Sequence, residues 1–321
     1  MNAVKNNTAI GMIATAEPQH RRGRFAPSPS GSLHLGSLLT AVGSYLDAKH
    51  QGASWLVRIE DIDRARSSEA STTEILKALE ACGLQWDGAV LYQHTRLAAY
   101  EAAFHALKAQ GHLYPCQCSR ARLIATDGRY PGTCKAHTPT DHLGNDRSGN
   151  DHASRHAAWR FDTESYPPVT INDRLQGTLT QPVHQTVGDF VVRRRDGEFT
   201  YQLAVVVDDA HQGITDVVRG ADLFDNTPRQ RLLQRALGLS EPTPLHLPVL
   251  VEDNGAKLSK SRRALALDPT RSPHLLSQVL AHLGHAPPAD LVGAPVREQL
   301  SWAVTAWRVD RIPARATVLV S

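Results

Sequence analysis

The chain has 321 residues, 41% hydrophobic and 21% charged, with a net charge of +3 and a pI near 8.7. That is globular composition with length for two or three packed units, and no apolar run approaches the roughly eighteen residues needed to span a bilayer. The weak positive charge permits a nucleic-acid partner without demanding one, and four cysteines without a secretory pattern point to a reducing cytoplasm.

Residues 1–21 are polar with one weak apolar patch and read as a disordered extension. Residues 22–110 then alternate as βαβαα. A short β-like run reaches Phe25 and breaks in a Pro/Gly/Ser turn that delivers His34 and Gly36 to an apolar-periodic run, Leu38 to Lys49. The start of that helix is suited to a phosphate. Ala53 to Ile59 is a strand candidate ending at Glu60. Ser68 to Cys82 and Arg96 to Gln110 have helical spacing, with Ser67 or Ser68 as N-cap. Alternating strands and helices imply a parallel sheet with its ligand at the carboxyl ends of the strands.

Residues 111–190 break the pattern and read as a smaller inserted unit, with β-like runs at 157–162 and 178–187. It carries Cys116-x-Cys118 and Tyr130-Pro-Gly-x-Cys134, three thiols that fit a tetrahedral zinc site. Chemistry alone leaves the fourth ligand as Tyr130, His137 or a water, with His137 preferred. No nucleophile–base pattern surrounds the thiols, so the metal reads as structural. The histidines at 137, 142, 152, 156 and 184 read as solvated loop residues.

Residues 191–250 resume the α/β pattern through Gln202 to Ala210, Thr215 to Val218 and Thr227 to Leu237. Asp208-Asp209 reads as a helix-surface acidic pair, with magnesium ligation as the alternative. Residues 251–321 open with a polar loop, Lys257-Leu-Ser259-Lys260-Ser261, and continue as a short helical region broken at Pro287-Pro288. His34 early and Lys257/Lys260 late both suit a nucleotide polyphosphate. Arg24, Ser28, Glu60, Tyr201 and Arg219 could grip an amino acid with an acidic side chain, because guanidinium groups pair bidentately with carboxylates.

The run from Arg24 to Ser37, Arg-Phe-Ala-Pro-Ser-Pro-Ser-Gly-Ser-Leu-His-Leu-Gly-Ser, resembles the opening of the glutamyl branch of class I aminoacyl-tRNA synthetases, with its HIGH signature. Lys257 to Ser261 resembles the KMSKS loop, and Tyr201 to Leu237 is similar to the branch's central block. About 60 residues follow Ser261, too few for an anticodon-binding region, so the chain looks like a truncated paralogue.

The resemblance implies a Rossmann-type catalytic domain with an inserted small α+β zinc-containing subdomain. It implies activation of L-glutamate with ATP and Mg2+ without tRNA, then transfer of glutamate to the queuosine base in the anticodon stem-loop of tRNA(Asp), by a cytoplasmic monomer. It maps glutamate contacts onto Arg24, Ala26, Ser28, Glu60, Tyr201 and Arg219. ATP contacts fall on His34, Gly36, Ser37, Lys257, Ser259, Lys260 and Ser261, with His34 and Lys260 catalytic. The ligands of one structural Zn2+ fall on Cys116, Cys118, Tyr130 and Cys134, in place of His137. Ser37 stands where the HIGH signature ends in histidine; its hydroxyl carries no charge, so His34 and Lys260 are expected to carry more of the phosphate stabilisation. Arg193 to Arg195, Arg262 and Arg263 are the expected RNA-phosphate contacts. A shortened synthetase charging a tRNA 3′ end and a non-catalytic tRNA- or amino-acid-binding regulator are the alternatives; a metal-dependent hydrolase is weakest, because no His-x-x-x-His stands on a helix.

Overall fold

The structure, a computed structural model, describes residues 20–118, 129–130, 132–135, 157–252 and 267–319. A five-stranded parallel sheet, ordered β10-β9-β1-β2-β3, forms its centre. Its strands are β1 (Arg22–Phe25), β2 (Ser54–Ile59), β3 (Leu91–Tyr92), β9 (Asp216–Gly220) and β10 (Thr243–Leu247). Helix α1 (Leu35–His50) links β1 to β2, and α2 (Glu69–Ala81) links β2 to β3. The expected βα alternation of the first half is therefore present. Ser68 is the N-cap of α2, accepting the Ser71 N–H at 3.1 Å.

Both faces of the sheet are covered, as buried parallel strands require. One core joins α1 and Trp55, Val57 and Ile59 of β2 to two C-terminal helices, α6 (Ser272–His282) and α7 (Val296–Ala306). The C-terminal region is thus two helices on either side of Pro287-Pro288. Gly43 of α1 is required by this packing: a Cβ there would lie 2.4 Å from Leu247 Cδ1 of β10.

A second core is built by α3 (Leu97–Ala109), α4 (Tyr201–His211) and α5 (Thr227–Leu237) with antiparallel strands. Those strands, β4 (Leu113–Cys116), β5 (Ala158–Phe161) and β8 (Phe190–Arg193), form a separate three-stranded sheet. Between β5 and β8 the chain makes a hairpin, β6 (Val169–Asp173) and β7 (Gly177–Gln181). The stretch expected to be β-like over 178–187 is β7 followed by a helical turn at Val183–Thr186, because Pro182 cannot donate to a ladder. The last short strands, β11 (Val249–Val251) and β12 (Thr317–Leu319), pair in parallel.

The hairpin is bolted to the parallel sheet. Arg174 N–H donates to Pro244 O at 3.1 Å. The Arg174 guanidinium grips Asp47 of α1 through two bonds of 2.7 and 2.8 Å. Asp47 also accepts Trp307 Nε1–H at 3.2 Å, so one buried carboxylate joins the first helix, the hairpin and the C-terminal region. Removing it leaves Arg174 and the Trp307 N–H without their acceptor. Asp47→Ala is therefore expected to cost about 3 kcal/mol in urea unfolding, the scale for breaking a buried pair from one side. Arg235→Ala, which removes an exposed partner of Glu241, is expected to cost less than about 1 kcal/mol. Equal losses would show that Asp47 is not the joint.

Candidate active site

In a parallel sheet the crevice for a ligand opens where the strand order reverses. Here the chain runs from β1 outward through β2 to β3, leaves the sheet, and returns on the other side of β1 as β9 and then β10. The reversal lies between β1 and β9. Arg24 sits in β1, Arg219 in β9, and Glu60 directly after β2, so three of the expected substrate residues converge on the carboxyl ends of adjacent strands. The Glu60 N–H bonds Pro27 O at 2.9 Å and joins the turn after β1 to the end of β2. On that turn Ala26 is half-buried and Ser28 exposed.

His34 is the N-cap of α1. Its Nδ1 accepts the Ser37 backbone N–H at 3.3 Å, and the His34 backbone N–H donates to Ser37 Oγ at 2.8 Å. The result is a reciprocal capping box in which Ser37 has a structural task. Because Nδ1 accepts, the ring hydrogen is on Nε2. Gly36 leaves room for the imidazole, since a Cβ there would stand 3.2 Å from its Nδ1 and Cε1. The stretch bearing Lys257, Ser259, Lys260 and Ser261, with Arg262 and Arg263, lies outside the described residues. Its described C-terminal flank is fixed beside His34: Leu267 N–H donates to Leu33 O at 3.2 Å.

Beneath the crevice is a buried ionic network. Asp209 of α4 pairs with Arg24 at 3.1 Å and with Arg58 of β2 at 2.8 Å. Arg58 also donates to Gln212 Oε1 at 2.9 Å and, more weakly, to Glu60 at 3.4 Å. Arg24 donates to Val218 O at 3.4 Å, beside Arg219. Burial opposes every charge here. For Asp209 the two arginines outweigh it and hold the carboxyl below its usual range. For Glu60 burial wins, and its pKa is raised despite Arg58 and Arg24. Burial likewise opposes the charge on Arg58, but Asp209, Glu60 and Asp208 outweigh it and raise its pKa.

Asp208 and Asp209 do not form the expected surface pair. Asp208 is fully buried and takes bonds from Gln93 (2.9 Å), Arg96 (3.1 Å) and Tyr100 (2.6 Å). Helix α4 is buried from Gln202 to Ala210, so its acidic pair needs internal partners. The same bonds leave both carboxylates ill-suited to magnesium.

Arg219 is held on three sides. Its Nη1 donates to Tyr201 Oη at 3.1 Å, its Nη2 to Thr227 Oγ1 at 2.8 Å and to Leu223 O at 3.3 Å, and its Nε to His246 Nε2 at 3.0 Å. His246 of β10 lies opposite Arg219 in register and is fully buried. Its Nδ1 bonds Asp173 Oδ2 at 2.6 Å. Arg58, Asp209, His246 and Asp173 are site residues that motif reading missed. The legible clue was a charged or polar side chain inside an apolar run: Arg58 in Trp-Leu-Val-Arg-Ile and His246 in Pro-Leu-His-Leu-Pro.

Cys116, Cys118 and Cys134 come together with their ligand atoms within 4.8 Å of one another. Tyr130 joins them: its hydroxyl accepts the Cys134 N–H at 2.8 Å, and its ring lies under the Arg160 guanidinium at 3.9 Å. Burial resists ionisation of Cys134, but bonds from Tyr130, the Gln117 N–H and the other thiols bring its pKa down to about 7. Three thiols this close could hold a metal ion, with the Tyr130 hydroxyl beside them. His137 lies outside the described residues. Arg195 clasps this knuckle, bonding Cys118 O at 2.9 Å and Gln117 O. Arg194 is paired with Asp63, Asp196 and Glu198, and Arg193 with Glu101. Arg193 to Arg195 thus each have partners within the fold.

His112, His211, His246, His282 and His285 all have pKa values pushed below 6.5, burial being the largest cause in each. Their unfolded forms bind protons that the folded forms refuse. Stability from these groups is complete above the ordinary histidine pKa of about 6.5 and is lost as pH falls toward the folded values. Glu60, with its raised pKa, opposes them as one group against five. Unfolding free energy by urea titration is expected to be lower at pH 5 than at pH 7; a rise on acidification would contradict these burials.

Comparison with known proteins places the fold. The family described as tRNA synthetases class I (E and Q), catalytic domain, matches residues 21–272. A glutamyl-Q tRNA(Asp) synthetase of Thiobacillus denitrificans is 49% identical over 302 residues, 92% of this chain and 96% of that protein. The protein of the same name in Synechococcus is 46% identical over 299 residues, 91% of this chain and 96% of that protein. A glutamate-tRNA synthetase of Elizabethkingia anophelis superposes with a TM-score of 0.77 over 94% of this chain and 68% of that one, at 24% identity, which speaks to fold alone. Family match, length and fold agree: the chain belongs to the class I tRNA synthetases of the E and Q branch, in the glutamyl-Q tRNA(Asp) synthetase family.

Proposed function

We propose that the chain activates L-glutamate with ATP in the absence of tRNA and passes the glutamyl group to the queuosine base in the anticodon of tRNA(Asp). One observation carries this reading. Arg24, Glu60 and Arg219 meet at the strand switch point, next to a helix N-terminus capped by His34. A dicarboxylic amino acid needs one anion for its ammonium and guanidinium groups for its carboxylates. Glu60 takes the ammonium; Arg24, Tyr201 and Arg219 take the carboxylates; Ala26 and Ser28 line the turn.

In the first step the glutamate α-carboxylate oxygen attacks the ATP α-phosphorus and pyrophosphate leaves. The His34 Nε2–H and the helix N-terminus face the phosphates, with Gly36 and Ser37 in the first turn of α1. Lys257, Ser259, Lys260 and Ser261 complete the ATP contacts, and the anchoring of Leu267 to Leu33 supports their reaching the same phosphates. These groups stabilise charge on the phosphates without proton transfer. Mg2+ accompanies ATP and neutralises pyrophosphate charge. In the second step a hydroxyl of the queuosine ring attacks the activated carbonyl, AMP leaves, and its phosphate takes the proton.

Cys116, Cys118, Cys134 and Tyr130 would hold one Zn2+, which supplies a structural cross-link and no chemistry of the reaction. The anticodon stem-loop is the nucleic-acid partner, and the chain acts as a monomer. Among the described residues no helix is long and apolar enough to cross a membrane.

Lys260→Ala is expected to lower glutamate-dependent pyrophosphate exchange by about 10²-fold, the scale of one lost transition-state donor. An unchanged rate would remove Lys260 from the ATP site. Labelled glutamate should enter queuosine-containing tRNA(Asp) but not queuosine-lacking tRNA(Asp), and should do so after periodate has destroyed the 3′ end. Loss of labelling after periodate would instead mean charging of the terminal ribose. Cys134→Ser should abolish bound zinc by elemental analysis and lower the melting temperature; full zinc retention would move the site elsewhere.

A further inference from the structure

His246 has one nitrogen on a carboxylate and the other on a substrate-site arginine. An ionised carboxylate only accepts hydrogen bonds, so Asp173 fixes the imidazole hydrogen on Nδ1. Nε2 is then left with a lone pair, and the Arg219 Nε–H points at it from 3.0 Å. A proton on Nε2 would put two donors and two positive charges face to face. We propose that the Asp173–His246 pair is the positioning element for Arg219, holding its guanidinium in the orientation that receives a glutamate carboxylate. The proposal rests on the assignment of Arg219 to glutamate and adds a residue pair that reaches it from the β6–β7 hairpin.

Three features separate this from ordinary core satisfaction. First, Asp173 already accepts three backbone N–H groups, from His246 at 3.1 Å and from Leu175 and Gln176 at 2.9 Å each. The bond from the His246 N–H docks the hairpin without the imidazole, and the other two close the hairpin's own turn. Second, the guanidinium has its own frame in Thr227, Leu223 and Tyr201, yet the bond to His246 is the one that sets its Nε edge. Third, both side chains of the Asp173–His246 pair are completely buried, so water cannot substitute for either partner.

The charged groups that bear on His246 come from three elements: Asp173 from the hairpin, Arg219 from β9 and Arg24 from β1. The neutral contacts are Thr227 Oγ1 at 3.4 Å and the Phe224 ring at 5.1 Å. Burial is the largest influence and disfavours protonation, Asp173 favours it, and the two arginines disfavour it; the balance keeps His246 neutral at physiological pH. Acidification below the ordinary histidine range should therefore release Arg219 and weaken glutamate binding while leaving ATP binding alone.

The experiment is glutamate-dependent pyrophosphate exchange, with KM for glutamate and for ATP measured from pH 8 to acid in full-length variants. In His246→Asn the amide can still donate to Asp173 but offers nothing to Arg219. In His246→Gln the longer amide places an oxygen where Nε2 stood. Loss of one bond to a charged donor should raise the glutamate KM of His246→Asn about tenfold to a hundredfold, with the ATP KM unchanged and with recovery in His246→Gln. Protonation of Glu60 also raises the glutamate KM in acid, so the acid rise should be smaller in His246→Gln than in wild type, keeping only the Glu60 part. Equal glutamate KM values in wild type, Asn and Gln variants, or an acid rise as large in Gln as in wild type, overturn the proposal. If His246→Asn does not fold, Asp173→Asn carries the test: loss of the carboxylate charge should move the acid rise to lower pH, and an unmoved rise overturns it. Arg219→Lys separates the two levels. An unchanged glutamate KM there defeats the substrate assignment itself; a raised one, with normal His246 variants, defeats the positioning element alone.

Discussion

The crevice depends on one shared carboxylate. Asp209 lies between Arg24 of β1 and Arg58 of β2, nearly out of water, at 3.1 and 2.8 Å. Two guanidinium groups on adjacent strands repel each other unless an anion stands between them, and burying any of the three alone would cost several kcal/mol. The helix that brings Asp209 is α4, buried from Gln202 to Ala210 and packed into the second core through Leu203 to Val207. Arg24 therefore faces the crevice in one orientation before any substrate arrives. Glu60 gains only partial compensation from the same arginines, and its raised pKa reports that the cost of burial exceeds it. A site already held in charge balance has little reorganisation left to do when a zwitterionic substrate enters.

The topology explains why the remote pieces must meet. A parallel sheet that grows outward from β1 in both directions leaves a crevice at its middle, and the chain must leave and re-enter to make it. The excursion is not loosely hung. Its hairpin reaches back to the sheet through Arg174 to Asp47 and through Asp173 to His246. The far side of the excursion carries the cysteine cluster, with Arg160 and Arg195 laid over it. Insert and catalytic sheet are thus joined by buried polar contacts on the flank where Arg219 is held.

Much of the site was legible because motif residues obey local rules that need no partner. A histidine before a helix with serine three residues later is a cap, and glycine between them gives the ring its space. Strand ends could be found from β-branched runs stopping at Glu60 or Gly220. The supporting layer was less legible, because it is made of pairs far apart in sequence: Asp47 with Arg174, Asp173 with His246, Arg24 with Asp209. Each member alone resembles a solvated charge. Asp208-Asp209 was misread in this way: two carboxylates near a helix end look like surface residues until the burial of Ala204 through Ala210 is seen. The partners of Arg193 to Arg195 were hidden for the same reason, since clustered basic residues say nothing about the carboxylates and carbonyls they meet in the fold.

Ser37 shows what a departure from a motif can mean physically. A second imidazole at this position could add positive charge near the phosphates. The serine instead closes a capping box on His34, a contact worth about 1 kcal/mol to the helix. It also engages Nδ1 through its own backbone N–H, so the imidazole has one tautomer and one orientation. The exchange replaces a second charge with a fixed donor direction for the first. Donors act on a transferring phosphoryl group in proportion to how well they are aimed before it arrives. The capping box on His34 and the carboxylate-bound imidazole behind Arg219 share that logic. In each, a neutral histidine with one assigned ring hydrogen is held in one direction by a neighbour.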